Sequence, residues 1–117
     1  RFRTRGFCVY TDKNKKIDIE KIKEIAKNPK VKYICIGTEI NNLDPISYIF
    51  IYYVYSRSIR SVKKDLGEDD WEVSYSRSNP PEIIEFCKKV GAFYEQGRAP
   101  TGKYHQQNKL LKEIWFQ

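Results

Sequence analysis

The chain has 117 residues, room for one compact domain, since domains usually run from roughly 50 to 250 residues. Its 22 Lys and Arg against 15 Asp and Glu give a net charge of +7, which raises the potential felt by polyanions and makes nucleic acid the first partner to consider. The longest apolar run, YIFIYYVY, stops far short of the roughly 18 residues a membrane helix needs, so no membrane partner is expected.

The opening RFRTRG lacks the apolar core of a secretory signal. No initiator Met is present, and the expectation is a fragment: one domain over 1–117, with a further domain such as a helicase outside it. Cys8, Cys35 and Cys87 are odd in number and lack the paired spacing of a zinc site or disulfide framework. They are expected to be buried free thiols in a reducing, intracellular compartment.

RTRGFCVYT is rich in β-branched and aromatic residues and runs into the polar DKNKK, the pattern of a strand ending in a loop. Asp18 can cap a helix with Ile19, Ile22, Ile25 and Ala26 on one face and Lys21, Lys23, Glu24 and Lys27 pointing outward. That helix stops at Asn28-Pro29, because proline disfavours helical geometry in the residue before it. VKYICIGTEI is the next strand, followed by the loop NNLDP and the long strand ISYIFIYYVYS. Both faces of the long strand are apolar or aromatic, which predicts a central place in the sheet.

SRSIRSVKKDLG reads as a short helix with Ser58 at its start and Gly67 past its end. DWEVSYS is a fourth strand and PPEIIEFCKKVG a helix whose prolines fit its first turn. AFYEQG is a short fifth strand, and Leu110, Leu111, Ile114 and Trp115 fall at helical spacing in the last segment. This order predicts an α+β domain with a mostly antiparallel, five-stranded central sheet flanked by helices.

From about Phe2 to Leu111 the ordered strings resemble the N-terminal replication-initiator (Rep) domain of circular single-stranded DNA viruses and related plasmids, the HUH endonuclease family, with a ferredoxin-like sheet. FCVYT sits where that family has its first motif, and YICIGTEI resembles the strand ending in a glycine and a metal-binding glutamate, here Glu39. DPISYIFIYYV occupies the place of the histidine-hydrophobic-histidine strand, and EFCKKVGAFYEQG resembles the third motif, where a tyrosine is followed by Cys, by Lys three residues on, and by a glycine-bounded strand.

Such enzymes attack a phosphodiester with a tyrosine oxygen and form a covalent link while a divalent ion polarises the phosphate. This chain departs from the pattern at each of those points. Phe86 stands at the nucleophile position, Ile46 and Tyr48 stand at the two metal-ligand positions, and His105 is the single histidine, expected to be an ordinary surface residue. Of the family's set, Glu39 and Lys89 are retained, and one carboxylate holds a hard cation weakly. No cofactor is expected, a divalent metal being needed only if nuclease activity survives. Tyr94 is the one nearby hydroxyl weighed as a replacement nucleophile, and its place on the following strand argues against it.

The resemblance therefore implies a catalytically inactive Rep-like domain that binds single- or double-stranded DNA in viral or plasmid-type replication, in the nucleus of an infected or host cell. Arg1, Arg3, Arg5, Arg57, Arg60, Lys63, Lys64, Lys88 and Lys89 are the candidate phosphate contacts, and Tyr48 is a candidate stacking surface on the face it shares with Phe50, Tyr52 and Val54. Two rival expectations stand beside this one. The first is a scaffold that docks a protein partner or forms a homo-oligomer, and the second is a nicking endonuclease with a rearranged site.

Overall fold

A computed structural model of the chain describes residues 4–11, 19–40, 43, 45–67 and 71–101. The expected cap at Asp18, the final helix, His105, Arg1 and Arg3 lie outside the described residues. Within them the order is β1 (Thr4–Tyr10), α1 (Ile19–Ala26), β2 (Val31–Glu39), β3 (Ser47–Arg57), α2 (Ile59–Leu66), β4 (Glu72–Tyr75), α3 (Pro80–Val90) and β5 (Gly91–Gly97). The five strands form one sheet in the order β4-β1-β3-β2-β5, and every pairing is antiparallel.

The long strand β3 is central because both of its faces are apolar over the same stretch. Ile49, Ile51 and Tyr53 point to one side and Tyr48 and Phe50 to the other, all of them buried. On the first side, α1 and α2 bury Ile22, Ile25, Val62 and Leu66 against Phe7, Val9, Ile34 and Ile36. On the second side α3 lays Ile83, Ile84, Phe86 and Cys87 over Cys8, Tyr33, Cys35, Tyr48 and Phe50. Period-two alternation in the strands thus separates two cores, one on each face of a single sheet.

Local chemistry sets the helix ends. Ser58 Oγ accepts from the Ser61 N–H at 3.3 Å and opens α2, and Gly67 closes it with φ of 68°, a left-handed conformation that a side chain would strain. After α1, Asn28 Oδ1 accepts from the Lys30 N–H at 2.9 Å and turns the chain into β2. Pro80 and Pro81 open α3, where missing N–H groups cost nothing.

Gly37 fixes how closely α3 lies on the sheet. A Cβ at this position would stand 2.3 Å from the carbonyl oxygen of Cys87, so only glycine lets the helix backbone rest against β2. No helix among the described residues is long and apolar enough to cross a membrane.

Candidate functional site

The positions singled out by the third motif and the central strand do meet. Alternation along β2 and β3 turns Glu39 and Tyr48 toward the side of the sheet that α3 covers, and the helix brings Phe86 onto Tyr48. The rings of Tyr48 and Phe86 pack edge to face, with centroids 5.1 Å apart and planes at 89°. Ile46, Tyr10, Val90 and Phe93 close the apolar surround.

Glu39 is engaged in holding the turn between β2 and β3. Its Oε1 accepts from the Ile46 N–H at 3.1 Å while its own N–H donates to the Ile46 carbonyl at 3.2 Å. Among the described residues no group of three His, Cys, Asp or Glu side chains is placed to share a metal ion. Around Glu39 stand an aliphatic side chain and a phenol. Burial, then the neighbouring Glu39 and Tyr10, raise the Tyr48 pKa above its ordinary value, which keeps the phenol neutral. This donor set does not fit the divalent ion that the resemblance implies.

Tyr48 was a candidate surface for stacking bases, and the fold gives its ring another partner. It is 8% exposed and occupied by Phe86, and Phe50 beneath the helix is fully buried. The aromatic face of β3 is therefore core along Tyr48 and Phe50 and becomes accessible only at Tyr52 and Val54. Tyr94 lies on the opposite side of the sheet from Phe86, packed against the α1–α2 core, with its hydroxyl donating to Gln96 Oε1 at 2.7 Å. Tyr10 is the hydroxyl that the sequence did not single out. Antiparallel register sets it directly across from Tyr48, a pairing between β1 and β3 that no local pattern reveals.

The three thiols are buried between α3 and the sheet, and Cys87 Sγ donates to the Tyr48 carbonyl at 3.7 Å. Burial, reinforced by Cys35, pushes the Cys8 pKa up to about 12. A hydrogen bond with Cys35, together with burial, holds the Cys87 thiol protonated far above its usual range. Protonated thiols in apolar surroundings are poor nucleophiles and poor metal ligands.

Among the described residues, the candidate cations do not make one surface. Arg60, Lys63 and Lys64 ride on α2, on one side of the sheet, whereas Lys88 and Lys89 ride on α3, on the other. Arg60, Lys64, Lys88 and Lys89 are exposed and Lys63 is half-buried. Lys88 Nζ lies 5.6 Å from the centre of the Phe93 ring. Arg57 is drawn into the fold: its guanidinium pairs with Asp65 and lies 4.8 Å over the Tyr53 ring, with 15% of the side chain exposed. Arg5 belongs to the far end of β1, where its Nε donates to the Tyr53 carbonyl at 3.1 Å and its guanidinium covers Tyr52. Compared with protein-family models and with curated proteins, the chain matches none.

Proposed function

We propose that this is a Rep-like domain that has lost nicking chemistry and binds DNA, mainly through backbone phosphates. The observation that carries the first half is the Tyr48–Phe86 contact at 5.1 Å. Rings fill the space in which the resemblance implies a metal and an attacking oxygen, and Glu39 serves the β2–β3 turn. The order of the sequence motifs and the five-stranded sheet with α3 over its central strand support the likeness.

The second half rests on charge. A surplus of +7, with exposed cations on both α2 and α3, favours encounter with a polyanion and gives binding that weakens steeply with salt. Phosphate contacts position a protein on nucleic acid without reading sequence. Titrating labelled single- and double-stranded DNA from low to moderate salt tests the reading. Binding with a steep, linear dependence of log K on log salt supports it, and no binding at low salt overturns it.

A second reading, a scaffold for a protein partner, draws on one observation. Ile40 and Leu43 at the β2–β3 turn are 61% and 99% exposed, an apolar tip that solvent does not favour. Concentration-dependent sedimentation that disappears on replacing both residues by Ser would favour it. The endonuclease reading predicts a covalent protein–DNA adduct with Mn²⁺ and a stem-loop oligonucleotide. The DNA-binding reading predicts none.

A further inference from the structure

At the end of the sheet opposite Phe86, a cleft of about 350 Å³ opens between the start of β1, the end of β3 and the approach to α3. Its origin is an irregular register. Gly6 pairs with Tyr52 but Thr4 pairs with Arg57, so a single residue of β1, Arg5, spans four of β3. Such a bulge opens the ladder and re-aims side chains. The cleft is lined by the hydroxyl-bearing residues Thr4, Ser56, Ser76 and Ser78, together with Arg5 and Tyr52, and the Ser76 hydroxyl donates to the Ser78 carbonyl at 3.5 Å.

Three features give this cleft its chemistry. No Asp or Glu among the described residues lines it. Arg5 is held by its Nε bond to the Tyr53 carbonyl and by the Tyr52 ring, at 4.8 Å, an arrangement that orients the guanidinium while its terminal nitrogens pair with no carboxylate among the described residues. Lys32 Nζ lies 5.8 Å from the same ring, so a second positive charge stands nearby. Arg57 offers the contrast, since its guanidinium is equally covered by a tyrosine and is neutralised by Asp65. A half-buried guanidinium beside several hydroxyls and without an acid matches the geometry and charge of a phosphate group. The first turn of α3 contributes no amide of its own here, because Pro80 and Pro81 have none and the Glu82 and Ile83 N–H groups already donate to Asn79.

We infer that this cleft is a phosphate-binding subsite taking one backbone phosphate of the bound strand, an assignment that rests on the DNA-binding reading above. It lies four residues along β3 from Tyr48, about 13 Å at the rise of a strand. The nucleic acid would therefore anchor away from the filled aromatic site.

The test uses the full chain, labelled with ¹⁵N, titrated separately with inorganic phosphate and with a short single-stranded DNA, alongside the variants Arg5→Gln and Ser56→Glu. Ser56 is exposed, so its replacement leaves the core intact, and thermal melting checks that both variants fold. The expected result is that both probes shift the amides of Gly6, Ser76 and Ser78. Both variants abolish the phosphate response and reduce the salt slope of DNA binding by about one. If DNA binds but neither the cleft amides nor the slope respond, the subsite is overturned and the DNA-binding reading stands. Cleft shifts with inorganic phosphate in a protein that binds no DNA at low salt would overturn that reading and leave a site for a free phosphate ester. No response to either probe overturns both.

Discussion

The edge of one aromatic ring meets the face of another where Tyr48 on the central strand and Phe86 on α3 come together, 5.1 Å between centroids and 89° between planes. This contact ties α3 to the sheet at the position where the proposed Rep-like reading would put attack chemistry. Replacing Phe86 with Ala removes a nearly buried ring and should cost about 3–5 kcal/mol in urea unfolding. A double-mutant cycle with Tyr48→Leu and Phe86→Leu should return a coupling of about 0.5–1.5 kcal/mol.

Restoring the hydroxyl should not restore chemistry. Phe86→Tyr supplies an oxygen but no second or third ligand beside Glu39, whose Oε1 remains on the Ile46 N–H. Incubation with a stem-loop oligonucleotide and Mn²⁺ is expected to yield no covalent adduct on a denaturing gel. A shifted protein–DNA band would show that the site retains nicking chemistry.

Gly37→Ala is the smallest change expected to dislodge α3. The added methyl would sit 2.3 Å from the Cys87 carbonyl oxygen and 2.8 Å from its Cα, both rigid backbone. Relief requires moving the helix off β2, and overpacking of this kind costs about 1–3 kcal/mol or more. The measurable signs are a lowered melting temperature and earlier hydrogen exchange across α3.

The buried thiols set an alkaline limit on stability. The folded-state pKa of Cys8, about 12, lies above its ordinary value of 9.0, so the native state holds a proton that the unfolded chain releases first. The contribution of this thiol to stability is fully present below pH 9 and declines as pH climbs from there toward 12, because the unfolded state then binds fewer protons. Denaturant melts at pH 8, 9, 10 and 11 should show midpoints falling progressively above pH 9. Thiol titration at pH 8 should find the three cysteines slow to react in the folded protein and fast in urea.

The cations should separate into two groups when changed one at a time. Arg60→Gln and Lys64→Gln remove exposed charges and should each reduce the salt slope of DNA binding by as much as about one, with little change in stability. Asp65→Asn should instead lower stability by about 1–2 kcal/mol, since it leaves the Arg57 guanidinium poorly matched on the Tyr53 ring.

Much of the fold was legible because local chemistry and tertiary placement agree. Ser58 and Gly67 mark the ends of α2 through a hydroxyl acceptor and a left-handed turn, and both are visible in the sequence. The central place of β3 follows from apolar residues at both parities, Ile49 and Ile51 on one face, Tyr48 and Phe50 on the other. Long-range register was not legible. Tyr10 opposite Tyr48, and the jump that leaves Arg5 spanning four residues of β3, depend on how distant strands align. Helical spacing placed Arg57 beside Arg60 and Lys64, yet the guanidinium reaches Asp65 because it sits on the end of β3 rather than on the helix. Grouping the α2 cations with Lys88 and Lys89 overlooked the layer between them, since charge pattern along a chain carries no information about which side of a sheet each helix covers.

That intervening layer limits the shapes a bound polymer can take. A straight duplex lying on α2 leaves Lys88 and Lys89 facing away from it, and one lying on α3 leaves Arg60 and Lys64 bare. Contacting the cations of both α2 and α3 with one molecule demands a flexible strand that folds around an outer margin of the sheet, past β4 or β5. If the domain binds DNA as proposed, a rigid double helix can meet the cations of α2 or those of α3, and both sets are engaged only by two separate segments.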